Sequence, residues 1–377
     1  MRDPIQTFPY TSTLIAFSLP FCFSQVGIQI IQGENSMEKS MAFDKFAPTI
    51  LRVYHRDPEA FWAAIMAPFL QNQVSFFDWL KNFSVDVGLL SAFKGMDDQA
   101  RAVLQEFGAP LGQDVTAWKS NRLQYFKDAY PVFAFLAVWM DEHGLTGLIE
   151  NFGDILRAGV YAVAGYGILD VNVDSNTPSP VEILTAQALL AEYEALALHI
   201  FGVTPANLDI MQRMRTLFLE AEIKEKSMRG RGSPYTLDNP KDLGAKGANS
   251  VTPFMLSLEQ LGKSALIPDY WEVFLLFGAA IQMMDDWMDL EGDLADGHYS
   301  YVTLGVEDIR LFDDTVKAAQ QLRADRQRVR STYDCCMGMI ARSREILKKL
   351  EDPYLVRLVD VTEARVDGYF KKELKLE

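Results

Sequence analysis

Gln282-Met-Met-Asp285-Asp286-Trp-Met-Asp289-Leu-Glu-Gly-Asp293 is the stretch on which the reading of this chain turns. It follows an apolar run, Val273 to Met284, whose length predicts a buried helix, and it crowds aspartates at that helix's end. Asp285 and Asp289 stand four apart, so on a helix both carboxylates leave one face, one turn above the other. Adjacent carboxylates repel, and an apolar helix gains no stability by gathering them. A hard divalent cation supplies a reason. Mg²⁺ takes one or two protein carboxylates and fills its other octahedral positions with water and phosphate oxygens.

Working outward, Gly167-Ile-Leu-Asp170-Val-Asn-Val-Asp174 repeats the four-residue spacing after a second small and apolar run, Ala158 to Leu169. Two such pairs, each closing an apolar helix, predict opposite walls of one cavity, with metal ions between them clamping a diphosphate. The ordinary reading of either pair alone is a solvated acidic helix end. Their repetition behind apolar runs favours the cavity.

The remaining pattern is helical almost throughout, from Met41 onward. Phe43, Phe46, Ile50 and Val53 keep three- and four-residue spacing, and Asp57-Pro58-Glu59 gives a cap followed by proline at the first helical position. Helical segments are expected over Ala100–Phe107, Val132–Met140, Pro180–Phe201, Leu208–Met228, Tyr270–Leu290 and Asp308–Leu350. Breaks are expected at Gly108-Ala-Pro110, at Gly202-Val-Thr-Pro205 and over Arg229–Ser250, a polar, glycine-rich stretch that reads as a mobile loop. No alternating β-branched run is long enough for a sheet. The expected fold is all-α: one large helical bundle around a central cavity, with Ala158–Leu169, Ile183–Leu198 and Val273–Met284 at its centre because they are apolar most of the way round.

With 377 residues, 49% of them hydrophobic, the chain can bury a large core. A net charge of −15 argues against nucleic acid as a partner, although an acidic protein binds a diphosphate when metal ions carry the compensating charge. Cys22, Cys335 and Cys336 make neither a disulfide framework nor a zinc site, so a reducing, cytoplasmic location is the default. Residues 1–40 are an atypical extension. No charge falls between Asp3 and Glu34, and the apolar block Leu14–Phe23 is broken by Pro20 and too short for a stable membrane span. Met37 and Met41 favour an over-extended gene start, with a weak anchor or targeting segment as the competitor; residues 41–377 are expected to form the all-α domain.

The Phe277–Asp293 stretch resembles the second aspartate-rich motif of the trans-isoprenyl diphosphate synthases, in which a glutamine precedes DDxxD by three positions and Gly-Asp follows it. Asp296–Leu304 is similar to the segment after that motif, and Ser179–Leu190 to the helix start that follows the family's first DDxxD. Asp170–Asp174 falls at that first motif with Val171 in its middle, and Lys246-Gly-Ala stands about where the family carries a lysine. The likeness covers roughly Ala129 to Leu304. It implies the isoprenoid synthase fold, a homodimer, and a trio of Mg²⁺ ions, with Mn²⁺ as an alternative.

The departures bear on activity. Lys127-Asp-Ala-Tyr130-Pro131 lacks the arginine of the basic cluster that holds a homoallylic substrate, Ser175–Pro180 contains no cation, and His298 replaces a lysine. That profile resembles a terpene cyclase built on this fold. The expected substrate is a prenyl diphosphate, with Asp170, Asp174, Asp285 and Asp289 catalytic through metal and Asp286 a further metal ligand. Asp293 would be auxiliary. Gln282, Lys224, Arg229, Arg231 and Lys246 are expected at the substrate's polar end. Tyr130, Phe133, Tyr161, Tyr166, Phe254 and Trp287 are candidates for a dry aromatic wall, with Tyr166 one turn deeper than Asp170. The competing expectations are a trans-prenyltransferase that condenses isopentenyl diphosphate with an allylic diphosphate, and an inactive subunit of such an enzyme. A di-iron bundle would need Glu-x-x-His motifs, which His55, His143, His199 and His298 do not supply.

Overall fold

In the computed structural model, residues 36–62, 87–118, 123–175, 177–228, 240–306, 314–372 and 374–376 are described. Among them there is no β-strand, and the fold is an all-α bundle. The helices used below are α1 (Ser36–Arg56), α2 (Val87–Gly108), α3 (Leu123–Glu142), α4 (Thr146–Glu150), α5 (Phe152–Asp174), α6 (Pro180–Phe201) and α7 (Pro205–Met228). A 3₁₀ segment (Pro240–Val251) leads into α8 (Thr252–Gln260), α9 (Ile267–Met288), α10 (Leu290–Asp296), α11 (Thr315–Ala324), α12 (Arg326–Lys349) and α13 (Pro353–Lys372). Glu38–Glu377 forms one compact unit.

α9 is the structural axis, packed by α8, α12, α13 and the 3₁₀ segment. It is long and apolar enough to cross a membrane on composition alone, but Val273, Ala279, Ala280, Met283 and Met284 are buried against its neighbours. α5 and α6 form a close antiparallel pair joined by a short loop. Ser179 caps α6 by accepting the Glu182 N–H, with proline at the next position, so the observed Pro180–Phe201 matches the expected segment. Asp57 likewise accepts the Ala60 N–H at 3.0 Å.

Two expectations are corrected. The long helix expected over Asp308–Leu350 is divided at Asp325, whose carboxylate caps α12 by accepting the Arg328 N–H at 3.1 Å; residues 307–313 lie outside the described ones. The expected loop Arg229–Ser250 is in part a packed element. Residues 229–239 are outside the description, but Pro240–Val251 winds as 3₁₀ helix against α9 with Leu243, Gly244 and Ala245 buried. Gly244 permits that contact: a Cβ built there would lie 2.1 Å from the Leu275 carbonyl oxygen and 3.0 Å from the Ala279 nitrogen. Gly244 therefore marks close backbone approach and not exposure.

Candidate active site

Asp170, Asp285 and Asp286 sit at helix C-termini, where the macrodipole is already negative and each added carboxylate costs about 0.3–1 kcal/mol, whereas Asp289 and Asp293 fall at the start of α10. Neither α5 nor α9 carries a basic residue in its last turn. Asp170 lies in the last turn of α5, an end tied down by Asn172. The Asn172 amide donates to the Ile168 carbonyl and to Glu182 at 2.9 Å each, and its oxygen accepts the Ser179 N–H at 2.7 Å. The far end of α9 is fixed by Arg323, which donates to the Trp287 carbonyl at 3.1 Å, and the chain bends at Asp289 into α10. Arg328 holds the following turn by donating to the Val302 and Leu304 carbonyls at 2.6 and 2.8 Å.

These elements enclose a cavity of about 540 Å³, lined by Asp170, Glu222, Glu225, Asp285, Asp286, Asp289 and Asp293. Lys246 is the one lysine among its described lining, so seven carboxylates face a single ammonium group. The 3₁₀ segment delivers that lysine, two residues after the tight contact at Gly244, to an ion pair with Glu225 at 2.8 Å. Burial opposes the charge on Lys246, but Glu225, Glu222 and Asp170 outweigh it and the net direction is upward. Asp286 is buried and pushed up to about 8, first by desolvation and then by Asp293, against the opposing effects of Lys246 and the Tyr301 N–H. Asp293 is pushed up to about 7 by desolvation, Asp289 and Glu225. Among the described lining residues, carboxylates outnumber basic side chains.

The deeper wall is apolar and aromatic. Tyr166 meets Phe218 edge-on, with centroids 4.8 Å apart, and lies 6.4 Å from the Tyr193 ring; Ala162 and Val163 continue the wall. Burial drives the Tyr166 hydroxyl pKa upward.

The structure thus brings together Asp170, Asp285, Asp286, Asp289, Gln282, Lys246 and Tyr166 from the expected set. Asp174 ends α5, but its carboxylate lies outside the described side chains, as do Lys127 and Tyr130; Arg229 and Arg231 lie outside the described residues. Lys224 is not on the cavity wall. It pairs with Asp242 at 3.2 Å on the exterior, because its place on α7 turns it away from the face that Glu222 and Glu225 present. Trp287 is fully buried in the core, one position round the helix from Asp286, and Phe133 is core as well. Tyr161 packs against Phe107, while Phe254 lines a second cavity. Asp286 does double duty: its Oδ2 accepts the Tyr301 N–H at 3.1 Å, which pins the turn after α10 to α9.

Sequence reasoning missed Glu222, Glu225 and Asn249. The two glutamates resemble a charged helix end, and only the three-residue spacing hinted at a shared face. Asn249 lines the cavity with its side-chain oxygen buried and without a hydrogen-bond partner. That orphaned oxygen and the excess of carboxylates fit a hard divalent ion. Among the described residues, no three of His, Cys, Asp and Glu converge on one point. The donor set therefore suits ions that draw further ligands from water and a phosphate, and not a closed protein cage. Comparison of the chain with models of protein families, with curated proteins and with solved structures finds no match in any of the three.

Proposed function

We propose that this protein ionises an allylic prenyl diphosphate with the help of Mg²⁺ and cyclises or quenches the resulting cation to a terpene, releasing diphosphate. The observation that carries this reading is the pairing of a carboxylate-rich rim with an aromatic floor in one cavity. Asp170 on one wall and Asp285 and Asp289 on the other would hold the divalent ions. Bound there, such ions neutralise charge on the departing diphosphate, so the allylic C–O bond breaks without an acid. Lys246 adds an ammonium group to the same rim, and Glu225 holds it in place. Gln282, one turn before Asp285, stands where the rim gives way to the interior and orients the reacting end. Tyr166 and Phe218 supply the aromatic surface of the cavity and keep water from the cation. The isoprenoid synthase fold, implied by the resemblance of Phe277–Asp293, belongs to the same proposal.

The test is incubation of purified protein with Mg²⁺ and geranyl, farnesyl or geranylgeranyl diphosphate, each with and without isopentenyl diphosphate, followed by mass spectrometry of organic and aqueous phases. Hydrocarbons or terpene alcohols formed without isopentenyl diphosphate are the expected result. Longer diphosphates formed only in its presence would replace the cyclase with a chain elongase. No product from folded protein would leave the inactive-subunit reading.

A further inference from the structure

Beside the acidic cavity lies a second one of about 250 Å³, lined by α3, the 3₁₀ segment, α8, α9 and α13. Its lining is apolar and aromatic, with Phe254, Trp271, Phe274 and Phe277 on one side and Leu358 and Val361 on the other. Arg365 is the one charged side chain among its described lining, and the Thr362 hydroxyl is satisfied by the Leu358 carbonyl at 3.0 Å. A 150 Å³ apolar cavity stays dry and takes a benzene. This one has room for considerably more hydrocarbon.

The two cavities share Leu243, Gly247, Ser250 and Gln282. At Gly247 the common wall has no side chain, and a Cβ built there meets nothing within 4 Å. Along α5, the Tyr166–Phe218–Tyr193 cluster fills the space into which a chain passing Asp170 would run. An amphiphile with its anionic head on the acidic rim thus meets aromatic rings in one direction and an apolar chamber in the other.

Resting on the function proposed above, we infer that the hydrocarbon tail of the substrate passes Gln282 and Gly247 into the second cavity, so that the α9–α13 chamber, and not the Tyr166 wall, sets the chain length accepted. Gly247 is then the threshold of the tail site and Val361 part of its far wall. Filling the threshold removes the apolar contribution to binding and leaves the head site intact.

The experiment is calorimetric titration, in Mg²⁺, of two probes: inorganic pyrophosphate for the head, and the non-ionising farnesyl S-thiolodiphosphate for head and tail together. Wild type is expected to bind the farnesyl probe at least about tenfold more tightly than pyrophosphate, through burial of the chain. Gly247→Leu enters open space at a position without positive φ, and is expected to keep pyrophosphate affinity and lose that gain. Val361→Trp, which touches only the second cavity, should reduce the gain as well, and circular dichroism checks that both variants fold. A gain kept in both variants but erased by Tyr166→Trp places the tail along α5 and overturns the inference. A farnesyl probe no tighter than pyrophosphate in wild type overturns it too. Failure of wild type to bind pyrophosphate strikes instead at the proposed function, and the tail assignment falls with it.

Discussion

Alanine at Gly244 should destabilise the protein, whereas alanine at Gly247, three residues on in the same 3₁₀ segment, should not. At Gly244 the new Cβ would stand 2.1 Å from the Leu275 carbonyl oxygen, 2.8 Å from its carbon and 3.0 Å from the Ala279 nitrogen. Those are backbone atoms of a buried helix, so no rotamer change relieves the contact, and the segment must move off α9 by about an ångström. Overpacking of this kind costs about 1–3 kcal/mol. With m near about 3 kcal/mol/M in urea, a loss of about 2–3 kcal/mol lowers the midpoint by roughly 0.7–1 M. The same movement carries Lys246 away from Glu225, so pyrophosphate affinity should fall together with stability. At Gly247 nothing lies within 4 Å, and replacing glycine there is expected to be neutral or to stabilise by about 0.5–1 kcal/mol. Urea unfolding followed by circular dichroism measures both. Gly244→Ala melting with wild type, or Gly247→Ala falling as far as Gly244→Ala, would refute the packing argument.

Stability should also depend on pH through the crowded rim. The folded protein keeps protons on Asp286 to about 8 and on Asp293 to about 7, whereas the unfolded chain releases them near the ordinary aspartate value of 3.8. Metal-free stability therefore falls as pH rises from about 4 towards 8, by about 1.4 kcal/mol per unit for each retained proton, and levels off above. Melts at pH 5 and pH 8 should show that loss in wild type, a smaller one in Asp286→Asn and Asp293→Asn, and recovery at pH 8 on adding Mg²⁺; equal slopes in all three proteins would count against it. Lys246→Ala removes the ion pair with Glu225 and a positive charge beside Glu222, and should lower both stability, by about 3 kcal/mol, and turnover, by more than about tenfold. Lys224→Ala breaks the exposed pair with Asp242 and should stay within about 0.5 kcal/mol, with turnover unchanged, as paired melts and rate assays would show. Asp352, 2% exposed, accepts from Trp139 Nε1 at 2.9 Å, from the Tyr270 hydroxyl at 3.0 Å and from the Leu355 N–H at 2.9 Å. Asp352→Ala leaves those buried donors unpaired and should cost about 3 kcal/mol or more in a urea melt.

The sequence carried the helices wherever a local signal was complete. Ser179-Pro180 before an apolar run specifies the start of α6 without reference to the rest of the molecule. The acidic ends of α5 and α9 were legible because they break a local rule, massing carboxylates where a helix disfavours them. Helix geometry also placed Asp285 and Trp287 on different faces, and the assignment of Trp287 to an aromatic cavity wall overlooked it. What could not be read depends on contacts between distant segments. Pro240–Val251 is as polar and glycine-rich as a loop, and only its backbone contact with Leu275 reveals why. Lys224 and Lys246 are alike in sequence, yet one faces Asp242 outside and the other Glu225 within. The three-residue spacing of Glu222 and Glu225 gives them a shared face, but only the packing of α7 on the 3₁₀ segment brings that face to the rim.

The central claim is that divalent ions hold a diphosphate between Asp170 on one wall and Asp285 and Asp289 on the other. It is tested most directly by titrating inorganic pyrophosphate into wild type, Asp170→Asn and Asp285→Asn, with Mg²⁺ and with chelator. Binding by wild type only in Mg²⁺, weakened about tenfold or more by either substitution, is the predicted result. Binding that persists in chelator, binding that ignores both substitutions, or no binding by folded wild type would contradict it.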